Sequence, residues 1–448
     1  MPPPMVWIEG DWINERSNAM WLRHGHLGGL VTLFAVALVL RLGAGVWWQS
    51  RLADAQSFGF ADSHSYWELA RTIAEGRPYQ FDSPDAKVFR TPGYPAVLAA
   101  LFWLWGGEPP VWAARAESAV LGTLAVAAVY WLGSVAFDGR VGYLAAWLAA
   151  LLPGAIGLGV YVLSEAAFAP LLVLNVALWA AAWRAQSMSA ALGIALATGL
   201  CAAGATLMRP SWLLFSPWAV AVGVAFFPPR GKQLLIGGAI LVGLALGMAP
   251  WWARNYQVVG RFVPTTLQVG ASLYDGLNPA ATGASDMRFV PGFVAEERAA
   301  GRAPQAGEVD AESTHPPFEY RLDRRMFAAA VEWARSHPLA VARLAAIKFA
   351  RLWNVWPNEA QFRSWPLRLV VFVTYTPVLF FALVGAWRFR RRCWTTAVCW
   401  LPAAYLTLMH MIFVSSLRYR EPPLLALLVL AAAACLFRSN ESPSPASA

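Results

Sequence analysis

Long uncharged stretches constrain this chain more than any other feature of its sequence. A helix needs about 20 apolar residues to cross about 30 Å of hydrocarbon, because it rises only about 1.5 Å per residue. Ten stretches approach or exceed this length: residues 27–48, 118–137, 141–163, 166–183, 185–208, 210–229, 233–253, 369–387, 394–417 and 422–437. Hydrophobic residues make up 58% of the 448 and charged residues only 14%, a balance that excludes a soluble globular domain. We therefore predict an all-α polytopic membrane protein with about ten transmembrane helices.

Lysine and arginine in short loops predict the orientation, because these residues resist translocation and mark the cytoplasmic side. If the spans alternate, one side receives Arg23, Arg140, Arg184, Arg230, Lys232 and the basic run 388–392. We interpret that side as cytoplasmic. The first loop (49–115), the junctions at Glu165 and Arg209 and the segment 254–368 then lie outside. The net charge of +9 is mostly this topology signal and does not indicate nucleic-acid binding.

The same pattern divides the chain into five regions. We predict a cytoplasmic N-terminal tail (1–26), a transmembrane module (27–253), an extracytoplasmic segment (254–368), C-terminal transmembrane helices (369–437) and a disordered tail (438–448). The polar residues before Met20 are interpreted as part of that tail or as sequence upstream of a start at Met20, which we favour slightly. The four cysteines fall in or beside spans and form no disulfide or metal motif.

Three shorter helices are predicted outside the spans. Residues 94–107 are apolar but too short to cross comfortably, and counting them as a span would move the basic run 388–392 outside. We interpret them as a re-entrant or interfacial helix in the first loop. Residues 321–335 have apolar side chains at helical spacing opposite charged ones, which predicts an amphipathic helix. A second helix is predicted over 339–353, after the break at Pro338.

Polar motifs of the first loop carry a family resemblance. Asp62, Tyr66 and Ala70 follow the first span at four-residue spacing, and the run 90–95, Arg-Thr-Pro-Gly-Tyr-Pro, precedes the short apolar helix. Together with Ser164-Glu165 and Arg209-Pro210, this order resembles the GT-C superfamily of integral-membrane glycosyltransferases, in the branch of the protein O-mannosyltransferases and the lipid A aminoarabinose transferase. Members with an Asp-Glu pair in the first loop differ from this chain, which has Asp62-Ser63.

The resemblance implies a function. It implies transfer of a sugar from a polyprenyl-phosphate donor to an acceptor (protein, lipid A or glycan) at the outer face of the cytoplasmic (inner) membrane, with inversion. Asp62 is the candidate base, because deprotonating an acceptor hydroxyl needs a carboxylate on the water side, and Glu165 is the second catalytic candidate. The candidate substrate-binding residues are Tyr66, Arg90, Tyr94, Arg209, Arg254, Asn255, Arg418 and Arg420. No metal ligands are assigned, and a divalent cation stays an open alternative.

Several of these residues have simpler interpretations. Glu165 could be an ordinary helix-start residue favoured by the helix dipole, and Arg209 could extend to the headgroups. Arg41, inside the first span, needs an acidic partner or a path to the interface. A transporter, a non-catalytic envelope scaffold and an O-antigen ligase or polymerase are the alternative functions. The charged residues cluster at span ends and the halves show no repeat, which favours an enzyme over a transporter.

Overall fold

The computed structural model describes residues 24–52, 54, 57–83, 85–302, 316–357, 364–390 and 393–437. Over these residues the chain is all-α, with seventeen α-helices and no strand. They are α1 (His24–Gln49), α2 (Ala61–Ala74), α3 (Gly93–Trp105), α4 (Val111–Ala136), α5 (Gly139–Leu151), α6 (Pro153–Leu158), α7 (Glu165–Arg184), α8 (Met188–Met208), α9 (Phe215–Phe226), α10 (Arg230–Val259), α11 (Val269–Gly276), α12 (Val290–Arg302), α13 (Phe318–Ser336), α14 (Pro338–Trp353), α15 (Trp365–Phe389), α16 (Trp394–Ile412) and α17 (Glu421–Leu436). The predicted tail 438–448 and most of the tail 1–26 lie outside the described residues.

Eight helical segments of the described chain are long and apolar enough to cross a membrane, which confirms the polytopic all-α prediction. They are Leu27–Gln49, Val111–Ala136, Glu165–Arg184, Met188–Met208, Arg230–Val259, Trp365–Phe389, Trp394–Ile412 and Leu417–Leu436. The stretches 141–163 and 210–229, expected as single spans, are each interrupted. In the second stretch, a 3-10 turn over Pro210–Trp212 precedes α9, which begins at Phe215. The helix α4 also begins earlier than expected, so Arg115 lies inside it and not in the first loop.

Pro153 interrupts the stretch 141–163, and the interruption explains Arg41. A proline has no N–H, so the Ala149 carbonyl loses the partner that a continuous helix would supply four residues later. The buried Arg41 guanidinium donates to the carbonyls of Ala149 at 3.0 Å, Ala150 at 3.4 Å and Ala37 at 3.0 Å. Neither an acidic partner nor a path to the interface is needed, because backbone oxygens accept this charge.

Contacts between helix ends divide the charged residues into two groups, which lie at opposite ends of the helix bundle. At one end, Lys232 donates to the Trp183 carbonyl at 2.6 Å, and Phe137 meets Phe389 with ring centroids 5.1 Å apart. Arg184 donates to a carbonyl of α4 at this end, and Arg388 to the Phe437 carbonyl. The loops expected on the opposite side, which carry Asp62, Glu165, Arg209 and Arg418, meet one another instead. Arg184, Lys232 and Arg388 therefore lie at one end of the helix bundle, as the predicted alternation of the spans requires.

Glycine allows two of the long helices to pack closely. A Cβ at Gly199 of α8 would overlap the Ile240 carbonyl of α10, and one at Gly243 would overlap the Leu196 carbonyl. Small residues are what lets membrane helices approach in this way, because lipid gives no hydrophobic driving force between them. The interface of α8 and α10 therefore depends on the absence of side chains at both positions.

The segment between α10 and α15 folds back onto the bundle. Helices α13 and α14 occupy the two stretches predicted as amphipathic helices, and Met326 and Ala330 form the buried face of α13. Lys348 of α14 is fully buried and donates to the carbonyls of Gly276 at 2.9 Å and Ile412 at 2.6 Å. The Lys348 ammonium group thus connects α14 to the C-terminal ends of α11 and α16.

We expect cysteine labelling to reveal the orientation. In a background lacking the four native cysteines, Ser285→Cys should react with an impermeant maleimide in intact cells. Ser187→Cys, exposed at the basic end, should react only after permeabilisation. Phe389 and Thr395 are unsuitable positions because both are buried and would be protected in either orientation. Labelling of Ser187→Cys alone in intact cells would reverse the topology.

Filling the α8 and α10 interface should destabilise the fold. Gly199→Val places a branched side chain against the α10 backbone, and overpacking of this kind costs about 1–3 kcal/mol. Gly193→Val is the matched control, since no atom lies within 4 Å of a Cβ there. Thermal unfolding in detergent should show a lower Tm for the first variant only, and equal Tm values would contradict the close packing.

Candidate active site

Asp62 lies in the first turn of α2, directly after the loop that follows α1. Its Oδ1 is 3.1 Å from Nη2 of Arg90, and its Oδ2 is 3.1 Å from Nη2 of Arg418. The side chain keeps 43% of its surface exposed. One carboxylate therefore contacts two guanidinium groups and is still reachable from outside the protein.

Glu165 is the first residue of α7 and is only 3% exposed. Its Oε1 is 2.8 Å from Nη1 of Arg209 and 3.4 Å from Nε of Arg418. The hydroxyl of Ser164 lies 3.5 Å from Oε2 and accepts a hydrogen bond from the Tyr66 hydroxyl at 3.2 Å. Glu165 is thus an ion-paired buried acid, which a helix-start role alone does not require.

Arg418 joins the two carboxylates through different nitrogens of one guanidinium. Two carboxylates and three guanidinium groups leave an excess of one positive charge in this cluster, which we call the ion cluster (Asp62, Arg90, Glu165, Arg209 and Arg418). Burial acts to raise the pKa of Asp62, but the charges of Arg90 and Arg418 outweigh it and the pKa lies below the usual value. Asp62 is therefore ionised at neutral pH.

Aromatic rings pack against the arginines of the ion cluster. The Arg90 guanidinium carbon lies 4.8 Å from the Tyr66 ring centroid. Arg209 and Arg418 lie 4.6 and 4.9 Å from the centroid of Tyr419, whose ring stacks on His410 at 4.4 Å. Tyr419 was not among the residues predicted from the sequence, although its position between Arg418 and Arg420 was an available signal. These rings hold the guanidinium planes in place.

Tyr94 supports the ion cluster without joining it. It is fully buried, and its ring meets the Tyr66 ring edge to face with centroids 5.2 Å apart. The preceding Gly93 lies against the backbone at Leu207, where a Cβ would be 2.6 Å from the carbonyl carbon. Tyr94 therefore fixes Tyr66, and Gly93 brings α3 close to the end of α8, next to Arg209.

Arg254 and Asn255 lie outside the ion cluster. Arg254 donates to the carbonyls of Lys87 at 2.8 Å and Tyr79 at 3.0 Å, and Asn255 donates to the Val263 carbonyl at 3.1 Å. Both side chains use their donors on backbone oxygens of the loops. The resemblance implies that Arg254 and Asn255 bind substrate directly. This geometry does not favour that role.

Arg420 also points away from Asp62. It is 2% exposed, donates to the Asn354 carbonyl at 2.5 Å and stacks on Tyr375 with its guanidinium carbon 3.6 Å from the ring centroid. Its Nε is 3.3 Å from Oε1 of Glu421. This candidate substrate-binding residue thus binds the C-terminal end of α14, and of Arg418 and Arg420 only Arg418 reaches the ion cluster.

A cavity of about 580 Å³ adjoins the ion cluster, and Asp62 and Arg418 are among its lining residues. Most of its wall is apolar or aromatic, with contributions from Trp47, Trp48, Tyr161, Leu367, Val371 and Tyr375. The site therefore combines a charged group of side chains with space for an apolar ligand.

The ion cluster suits an anion better than a divalent cation. Both carboxylates face guanidinium groups, whereas a hard cation needs several oxygen ligands turned toward it. In the part of the chain that the structure describes, no group of three or more His, Cys, Asp or Glu side chains is placed to hold a metal.

Solved structures share this fold. The archaeal oligosaccharyltransferase AglB from Archaeoglobus fulgidus, in complex with an inhibitory peptide and a dolichol-phosphate, superposes with a TM-score of 0.59 at 15% identity, over 92% of this chain and 50% of that chain. The same oligosaccharyltransferase tethered to an acceptor peptide gives a TM-score of 0.60 at 15% identity, over the same shares of the two chains. ArnT from Cupriavidus metallidurans bound to undecaprenyl phosphate gives 0.46 at 17% identity, over 91% and 78%.

The chain has the GT-C fold of integral-membrane glycosyltransferases, which confirms the resemblance at the level of the fold. It spans about half the length of the oligosaccharyltransferase structures. No protein-family model and no curated protein matches its sequence.

Breaking the Glu165–Arg209 ion pair should destabilise the protein. Arg209→Ala leaves a buried carboxylate with Arg418 as its remaining cation, and removing one partner of a buried pair costs about 3 kcal/mol. Arg209→Ala combined with Glu165→Gln should recover part of that loss, because the buried side chain at position 165 is then neutral. Thermal unfolding of both variants measures the difference. A double variant no more stable than Arg209→Ala would contradict a buried ion pair.

Proposed function

We propose that this protein transfers a sugar from a polyprenyl-phosphate donor to an acceptor at the outer face of the cytoplasmic membrane, with inversion at the anomeric carbon. The observation that carries the proposal is the ion cluster, in which Arg418 joins Asp62 to Glu165 beside an apolar cavity. Charge and apolar volume meet there, as a lipid-linked phosphate requires.

The donor matches both halves of the site. Its phosphate needs cationic donors, and charge-assisted hydrogen bonds from arginine are the strong ones available to a protein. Arg90 and Arg418 both contact Asp62, and the excess positive charge of the ion cluster favours an added anion. The polyprenyl chain would lie against the apolar wall of the cavity that includes Trp47, Trp48 and Val371.

The reaction needs one proton acceptor. In an inverting transfer the acceptor oxygen forms a bond to the anomeric carbon, the bond from that carbon to the phosphate oxygen breaks, and the polyprenyl phosphate leaves with the bonding pair. The acceptor proton goes to a carboxylate. Asp62 is our candidate because it is partly exposed, whereas Glu165 is buried and holds Arg209 and Arg418 in place.

The ion pairs of Asp62 give donor binding a second role. A carboxylate with a lowered pKa is a weak base, and an efficient base has a pKa closer to the working pH. A phosphate that engages Arg90 and Arg418 competes with Asp62 for their charge. Donor binding would therefore raise the pKa of Asp62 and prepare it to accept the proton.

Two further observations support an enzyme of this class. The oligosaccharyltransferase AglB, whose fold this chain shares, is described in complex with a dolichol-phosphate, a lipid-linked phosphate of the kind proposed here. Arg41, the charged residue inside the first span that a transporter could have used, donates from both terminal guanidinium nitrogens to backbone carbonyls. Within the described residues, the charges facing the cavity belong to the end that carries Asp62.

We expect Asp62→Asn to abolish transfer while expression and donor binding are nearly retained. Asn keeps the volume but cannot accept a proton at neutral pH, and loss of a general base costs about 10²–10⁴ in rate. Release of free undecaprenyl phosphate from a panel of undecaprenyl-phosphate sugars by the purified protein measures this. Envelope glycans of a deletion strain, analysed by mass spectrometry, would name the sugar and acceptor.

Glu75→Gln is the control, because this half-exposed acid closes the far end of α2. Its rate should stay within about twofold of the original. Asp62→Asn protein that retains more than about a tenth of the original rate would remove Asp62 as the base.

A further inference from the structure

Glu319, near the start of α13, holds the backbone just before Arg90. Its Oε2 accepts the N–H of Lys87 at 2.9 Å and that of Val88 at 3.0 Å, and its Oε1 lies 3.3 Å from the Val88 nitrogen. The carboxylate is buried, 231 residues away in sequence from the segment it contacts. A buried acid of the outer segment therefore binds the loop that carries a residue of the ion cluster.

A second acid on the same helix completes the connection. Asp323 follows Glu319 by four residues and so lies on the same face of α13. Its Oδ1 accepts the Gly270 N–H at 2.6 Å, and the Val88 carbonyl accepts the Leu267 N–H at 2.9 Å. The segment ending at Val88, the start of α11 and helix α13 are thus joined pairwise in a closed ring of hydrogen bonds.

Three more backbone oxygens of this segment accept hydrogen bonds. The Lys87 carbonyl accepts from Arg254, and the Tyr79 hydroxyl lies 3.2 Å from the carbonyls of both Arg90 and Thr91. The backbone from Lys87 to Thr91 therefore has few ways to shift. The Arg90 side chain leaves this fixed segment to reach Asp62 at 3.1 Å.

We propose that Glu319 is a positioning residue, which sets where the Arg90 guanidinium meets Asp62 and the donor phosphate by holding the amides of Lys87 and Val88. The part that concerns the donor rests on the proposed function. The amino-acid sequence showed no sign of this role, because the amphipathic helix predicted there begins at residue 321, after Glu319, whereas the helix in the structure begins at Phe318.

Donor kinetics and hydrogen exchange test the proposal together. In Glu319→Ala the apparent KM for the lipid donor should rise about tenfold, the usual loss for a charged hydrogen bond. In an Arg90→Ala background the same substitution should add less than about twofold, since its effect passes through Arg90. The amides of Lys87 and Val88 should exchange faster in Glu319→Ala. Assays at pH 8 keep the carboxylate ionised, because burial raises the pKa of Glu319 to about 7.

Glu332→Ala is the matched control, an exposed glutamate on the same helix, and it should leave both readouts unchanged. Glu319→Gln, which keeps one acceptor oxygen, should give intermediate values and replaces Glu319→Ala if the latter does not fold. Unchanged exchange at Lys87 and Val88, or an effect on donor KM that adds fully to that of Arg90→Ala, would overturn the proposal. Faster exchange in a protein inactive on every lipid donor would instead reject the proposed function and leave the contact between Glu319 and the segment established.

Discussion

The site depends on the Arg418 guanidinium, because two carboxylates from distant parts of the chain share this group. Asp62 precedes it by 356 residues, and Glu165 begins a helix in the middle of the transmembrane module. Buried charges are tolerated only when they are paired. The first loop, the start of α7 and the turn before α17 must therefore meet for any of these charges to be accommodated.

Other buried cationic side chains donate hydrogen bonds to backbone carbonyls at helix ends and take no part in the candidate active site. Arg41 donates to a carbonyl that Pro153 leaves without a helical partner. Arg420 donates to a carbonyl at the end of α14, and Lys348 donates to carbonyls at the ends of α11 and α16. Inside a membrane protein no water is available to these oxygens, so side chains must satisfy them. Long cationic side chains thus allow this bundle to contain a broken helix, and the break at Pro153 lies beside the cavity.

Two properties of Asp62 have opposite effects on how well it can act as a base. Its partial exposure suits a group that meets the acceptor, but its two arginine partners lower its pKa and make it a weak base. A ligand that draws Arg90 and Arg418 toward a phosphate would resolve the conflict. The segment that carries Arg90 is itself held by Glu319 of α13 and Arg254 of α10, so the contacts that surround this carboxylate include residues far from it in the sequence.

The sequence by itself determined the all-α polytopic class and the positions of eight spans, because hydrocarbon thickness fixes how long an apolar helix must be. It also singled out Asp62 and Arg209 through the motifs that carry the family resemblance, and Glu165 because an acid at the edge of a span is costly unless it is paired or functional. The sequence could not show which of Arg418 and Arg420 belongs to the site, because both are arginines and only one residue separates them. Only the tertiary structure decided that choice: in a 3-10 turn, residues two apart point in different directions. One side chain therefore reaches Asp62 while the other closes a neighbouring helix, a distinction that depends on contacts between residues far apart in the chain.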